Sequence, residues 1–224
     1  MKLSTKIIAG YLLISLISVI IGVVGWNGLN QSGKSIDGIG NTNLPSVNAL
    51  WTANEAQTAV RAVEFKAWYL EVTTSEMDQY TKEANEALAR VSSGFAEYEK
   101  LPFGPGEEQM YAKVKTYTDA WIAAHNEYMN KMVKVAKAGP IERAALYADA
   151  TAYLSGPLKT ADDNFGNEAL ALTEYNISNA NNAVDAATKA SSFSIVLMFG
   201  TVIGGVILSI VVGIYLSNSI TKPL

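Results

Sequence analysis

Residues 7–26 read IIAGYLLISLISVIIGVVGW, an uncharged run of about 20 residues that as a helix rises ~30 Å, the thickness of a bilayer's hydrocarbon core. Residues 193–216, FSIVLMFGTVIGGVILSIVVGIYL, form a second uncharged run, long enough to span with some tilt. A cleavable signal peptide competes for the first run, because Lys2 and Lys6 precede it. The stretch exceeds the usual ~7–15-residue signal core, however, and no A-x-A-like site follows it. A buried core helix competes for the second run, yet Gly200, Gly204, Gly205 and Gly213 are better tolerated in a membrane helix than in a soluble one. The chain therefore divides into a short N-terminus at 1–6, transmembrane helices at 7–28 and 193–216, an external segment at 29–192, and a short C-terminal piece at 217–224.

Lys2 and Lys6 flank the first span and Lys222 follows the second, so the positive-inside rule places both termini in the cytoplasm. The segment between the spans carries the acidic residues of a chain with a net charge of −4, a balance that argues against nucleic acid as a partner. Cys is absent, which removes disulfides and thiolate metal sites and requires the external segment to hold itself together by a packed core.

Ala, Glu, Lys and Leu fill that segment, and strand-type alternation is hard to find. Breakers fall at few points. Val72-Thr73-Thr74 followed by Ser75-Glu76-Met77-Asp78 reads as a helix end and then a capping-box start on Ser75 and Asp78. Leu101 to Gly106, LPFGPG, is a loop, with Glu107 and Glu108 placing negative charge at the next helix N-terminus. Gly139-Pro140 is a third turn, Gly ending one helix and Pro entering the next. Four helices follow: one from the first span to about Glu71, then 75–100, 107–138, and 141 into the second span. The outer pair overhangs the inner pair, as in an all-α, up-down-up-down four-helix bundle whose first and last helices continue into the two transmembrane helices. Two places strain this pattern: Gly28 to Pro45, where the first helix is expected to fray or kink, and Gly156-Pro157, where the last is expected to bend.

On the first helix Leu44, Val47, Trp51, Thr58, Ala62, Phe65 and Tyr69 recur at threes and fours and read as a bundle-facing stripe. On the last, Leu154, Leu158, Ala161, Phe165, Leu172, Asn176, Asn179 and Ala183 do the same. The polar stretch from Asn176 to Asn182 has two readings, a register-fixing dimer seam or a solvated face.

The C-terminal Ser219-Ile220-Thr221-Lys222-Pro223-Leu224 resembles the opening of a HAMP relay domain, whose Ile-(Thr or Ser)-(Lys or Arg)-Pro-Leu pattern follows a second membrane span. The N-terminal MKLSTKIIAGYLL and the stretch from Asn43 to Leu50, NLPSVNAL, resemble the four-helix-bundle sensor regions of methyl-accepting chemotaxis proteins, a likeness covering essentially the whole chain. The resemblance implies a homodimeric receptor of the bacterial inner membrane. It would bind a small molecule on its periplasmic or extracellular side and signal through small displacements of the last helix and second span to cytoplasmic domains. It leaves the output open, since sensor histidine kinases and cyclic-dinucleotide enzymes carry the same sensor and relay.

No catalytic residue, cofactor or metal site is expected. His125 is the only His, and neither a nucleophile triad nor a Gly-rich phosphate loop is present. His125 itself reads as a surface or satisfied residue, and Asp162-Asp163 as a solvated pair. Arg61 is the leading binding candidate: Arg occurs at only three positions, and its guanidinium binds carboxylates in a fork that Lys cannot reproduce. Measured from the turns, Arg61 falls near the level of Ala152, with Phe65, Trp68 and Tyr69 on its own helix, Tyr128 on the third and Tyr153 on the last. An Arg among aromatic rings between helices suits an organic anion. The competing reading makes Arg61 a structural partner of Glu127 or Asp149.

Overall fold

The computed structural model describes residues 3–221, and no strand occurs among the described residues. Six α-helices follow one another: α1 (Leu3–Gly38), α2 (Leu44–Ala67), α3 (Thr74–Tyr98), α4 (Glu107–Lys137), α5 (Pro140–Tyr153) and α6 (Lys159–Thr221). Short π-helical segments, Ile39–Asn43 and Leu154–Leu158, join α1 to α2 and α5 to α6. Lys2 and the Lys222-Pro223-Leu224 part of the HAMP-like ending lie outside the described residues.

The chain divides into two compact units. One contains the described residues up to Ile39 and from Asn181 onward. It holds two stretches long and apolar enough to cross a membrane, and side chains such as Leu12, Val19, Ile203 and Ile210 are exposed on them. Small residues line the contact between these stretches: a Cβ on Gly28 would lie 2.2 Å from Ser194 Oγ, and one on Gly205 would lie 3.1 Å from Ile17 Cγ2. Close backbone approach of this kind is how apolar helices gain packing energy where lipid already solvates them.

Residues 40–180 form the second unit, an up-down-up-down bundle of α2, α3, α4 and the rod made by α5 and the first half of α6. Val60, Val91, Trp121, Tyr128, Met132, Phe165 and Leu172 fill its core. Trp121 stacks on Phe165 at 5.0 Å between centroids, and Phe95 meets Phe165 edge-on at 6.2 Å. The expected stripe on α6 is inward, with Leu158, Phe165, Leu172 and Asn176 all buried.

The expected stripe on α2 is not. Leu44, Trp51, Phe65 and Tyr69 are each more than half exposed, and the inward face carries Ala49, Leu50, Ala53, Ala56, Val60 and Val63 instead. The cause is the tight approach of α3, where a Cβ on Gly94 would come within 2.7 Å of the Ala49 carbonyl oxygen. Only small side chains fit that contact, so the large ones of α2 occupy the opposite face.

Helix ends depart from the sequence reading for identifiable reasons. The capping box belongs to Thr73 and Glu76, not Ser75 and Asp78: the Glu76 amide donates to Thr73 Oγ1 at 3.2 Å, and the Thr73 amide donates to Glu76 Oε2 at 2.7 Å. α2 stops at Ala67 instead of running on to about Glu71. The Lys66–Glu83 pair at 2.8 Å sets the end of α2 beside a residue more than two turns into α3, so residues 68–73 continue the rise as irregular chain. Gly106, at φ 81°, takes the left-handed turn that enters α4, and Pro140 opens α5 after Gly139.

The two strained places become π-segments. Pro157 lies inside Leu154–Leu158, where a wider turn accommodates its missing N–H without ending the rod. Helix α1 stays regular to Gly38 before Ile39–Asn43 widens in the same way. Asn176 corrects both earlier readings, since it is buried inside its own bundle and its side-chain amide donates to Glu107 Oε1 at 2.7 Å and Tyr98 Oη at 3.2 Å.

Candidate functional site

Gln57, Arg61 and Glu64 are spaced four and three along the sequence, so one face of α2 presents them together, and Trp68 follows four residues on, just past the helix end. That face meets the rod of α5 and α6. Gln57 Nε2 donates to Asp162 Oδ1 at 2.7 Å, Arg61 reaches Asp162 Oδ2 at 3.0 Å, and Trp68 Nε1 donates to Thr151 Oγ1 at 2.9 Å. From α4, His125 Nδ1 lies 2.7 Å from Glu64 Oε1, and the Tyr128 hydroxyl donates to the Glu64 carbonyl at 3.1 Å. Four helical elements are thus tied together by one polar chain.

A cleft of about 260 Å³ opens along this face. Arg61, Glu64, Lys159 and Asp162 supply its charges, Phe65 and Trp68 its aromatic walls, and Thr151, Leu154, Ser155 and Leu158 the side formed by the rod. The π-segment Leu154–Leu158 therefore contributes to the cleft directly, a common placement for an element that re-aims side chains.

The charges are unequally solvated. Asp162 is 4% exposed and held from two sides by Gln57 and Arg61, whereas the Arg61 side chain is 46% exposed. One guanidinium nitrogen serves Asp162, which leaves further donors in the cleft. Burial pushes the Glu64 carboxyl above its ordinary range, opposed by its hydrogen bond and charge interaction with His125 and reinforced by the nearby Asp162. Glu64 and Asp162 are thus two acids in one small volume, one tied to a cation and the other to an imidazole.

Of the residues expected at the site, Arg61, Phe65 and Trp68 line this cleft. Tyr128 lies behind it, fully buried against Glu64. Tyr69 is exposed past the end of α2, and Tyr153 lies under the Lys131 ammonium, 5.3 Å from the ring centroid; neither lines the cleft. Arg61 pairs with neither Glu127 nor Asp149, since both of those acids meet Lys131. Asp162 is buried, not solvated, and its phase explains why: residues 158, 162, 165, 169, 172 and 176 recur at fours and threes along the buried line of α6. Glu64 is the other residue that the sequence reading passed over, an acid placed among Ala and Val on the inward face of α2.

The expected level of Arg61 also shifts, from Ala152 to Asp162. Counting from the turns treated residues 68–73 as helix, but irregular chain advances farther per residue than the 1.5 Å of a helix, which moves Arg61 down the rod.

Residues 1–191 match the family described as a four helix bundle sensory module for signal transduction, and the chain belongs to that family. It is accordingly a sensor input domain. A comparison with curated proteins finds no match.

Proposed function

We propose that this chain is the ligand-sensing part of a transmembrane chemoreceptor of the methyl-accepting chemotaxis type, with no catalytic activity of its own, and that the cleft between α2 and the α5–α6 rod is its ligand site. The observation that carries this reading is the pairing of Arg61 on α2 with Asp162 on α6 at the edge of a cleft with aromatic walls. A small organic anion entering there meets the free donors of Arg61 and competes with Asp162 for the guanidinium, while Phe65 and Trp68 cover its apolar part. Ligand binding then loosens a tie between the first and last bundle helices. Because α6 is a single helix from Lys159 to Thr221, a change in how its upper part is held is carried toward the second span and a HAMP relay.

On this reading the chain lies in a bacterial cell membrane with residues 29–192 outside and both termini cytoplasmic. A reporter fused after Lys100 is then exported, and reporters at either terminus stay inside. A cytoplasmic Lys100 fusion would remove the reading. The same input region also suits a membrane histidine kinase or cyclic-dinucleotide enzyme, because the family description names signal transduction without an output.

The site is tested by a thermal-shift screen of small organic acids against the full chain in detergent. A binder at 100 times its Kd stabilises the folded state by about 2.7 kcal/mol. Ser155→Trp, which places a large ring in the cleft, should abolish the shift. A hit that shifts this variant as much as the parent chain binds elsewhere, and the proposed site fails.

A further inference from the structure

We propose that the cleft between α2 and the α5–α6 rod takes its organic anion together with a proton, which the buried Glu64–His125 pair receives. Resting on the ligand reading above, this makes the sensor respond more strongly to an organic acid in acidic surroundings. The charges on the cleft wall lead to it. Among the described residues, both cations that line the cleft are already engaged: Arg61 holds Asp162 at 3.0 Å, and Lys159 pairs with Asp163 one turn along α6. The two lining acids, Glu64 and Asp162, are buried, whereas the Arg61 side chain is half exposed.

An anion entering this cleft therefore meets no uncommitted counter-charge. It shares the Arg61 guanidinium with Asp162, which keeps the Gln57 amide at 2.7 Å as its other partner. Two buried carboxylates and the ligand then depend on one cation, and a group in that position changes protonation more readily than it stays buried with an unpaired charge. Glu64 is placed to do so. It stands three residues from Arg61 on the same face of α2, lines the cleft, and has Oε1 held by His125 Nδ1 at 2.7 Å. Its second carboxyl oxygen has no hydrogen-bond partner among the described residues.

Every neighbouring element contributes to the balance at Glu64. Burial acts most strongly against its ionised form; the hydrogen bond and charge of His125 from α4 act for it, Asp162 from α6 against it, and Arg61 of its own helix for it. Tyr128 of α4 donates its hydroxyl to the Glu64 carbonyl at 3.1 Å, with Tyr147 of α5 next to it, and on the α3 side Glu83 is engaged by Lys66 at 2.8 Å. An arriving anion adds a negative neighbour and dilutes the hold of Arg61, and both changes favour the proton. Because Glu64 and His125 share one hydrogen bond, the proton belongs to the pair and to neither group alone.

Linkage gives the sign. Binding that takes up a proton strengthens as pH falls, by up to about tenfold per pH unit, until the pair already carries the proton in the empty cleft. A carboxylate and a proton bound together add no net charge to the bundle. One site thus reports both the organic acid and the acidity outside.

Titration calorimetry of phenylacetate, a carboxylate with one aromatic ring, on the full chain in detergent tests this between about pH 5.5 and 8, where the probe itself stays ionised. Titrations repeated in two buffers of different protonation heat give the number of protons taken up. The parent chain should take up about 0.5–1 proton per phenylacetate within this range and lose affinity as pH rises. Glu64→Gln should take up almost none, and at about pH 8 should bind about as tightly as the parent does at about pH 5.5, a gain that loss of a merely structural group would not produce. Phenylacetate binding to the parent without proton uptake, or uptake that persists in folded Glu64→Gln, overturns the inference; should Glu64→Gln not fold, the parent titration decides alone. Absence of phenylacetate binding, or binding that Ser155→Trp leaves intact, instead removes the ligand site on which the inference rests, so the two failures are told apart.

Discussion

Arg61 and Asp162 face one another at 3.0 Å across the boundary of α2 and α6, and only the acid is buried. Their solvation decides what each contributes. Arg61→Ala leaves Asp162 buried with Gln57 as its remaining partner, which should lower stability by about 1–2 kcal/mol, between the ~0–1 of exposed pairs and the ~3–5 of buried ones. Asp162→Asn should cost less, because the guanidinium it abandons is half exposed to water. Thermal denaturation of the two variants checks the order, and an unchanged midpoint in Arg61→Ala would contradict it.

Glu64 makes the bundle sensitive to pH in a defined direction. Its carboxyl lies above the ordinary value of 4.5 in the folded chain because it is buried, so the folded state holds this proton more tightly than the unfolded state does. The stabilisation is complete below about 4.5 and is lost as pH rises through the folded value. Glu64→Gln cannot titrate. Urea denaturation across this range should show a shallower fall of stability with pH in the variant, and an identical profile would contradict the assignment.

How much of this was legible in the sequence depends on what a pattern can specify. The three- and four-residue spacing of α6 led to Phe165, Leu172 and Asn176, and they are inside. Equivalent spacing on α2 led to Trp51 and Phe65, and they are outside. Periodicity shows that a helix has a seam without saying which neighbour fills it. The side was decided by a tertiary contact, the approach of Gly94 to Ala49, which no local pattern encodes. Arg61, Phe65 and Trp68 were legible as a group because they follow one another at four- and three-residue steps along the last turns of α2 and the residue just past its end. Asp162 was hidden by Asp163, its solvated neighbour, and the register between helices was lost in residues 68–73, whose rise per residue a count cannot supply.

The Gly94 contact gives a direct test of the packing. Gly94→Ala would place a Cβ 2.7 Å from the Ala49 carbonyl oxygen and 3.0 Å from the Ala53 amide nitrogen, both backbone atoms that cannot rotate away. Although Ala favours helix over Gly, overpacking should dominate and destabilise the bundle by about 1–3 kcal/mol. A more stable Gly94→Ala variant would show that α2 and α3 stand farther apart than described.

Titration calorimetry of an organic acid that stabilises the chain is the most direct test of the ligand role proposed for Arg61 in the cleft between α2 and the α5–α6 rod. Arg61→Lys keeps the charge but loses the fork, so it should weaken binding while changing stability little; Arg61→Ala should weaken binding further. The expected result is a stepwise loss of affinity from Arg to Lys to Ala. Unchanged affinity in Arg61→Ala, measured on variant protein that remains folded, would contradict a ligand role for Arg61.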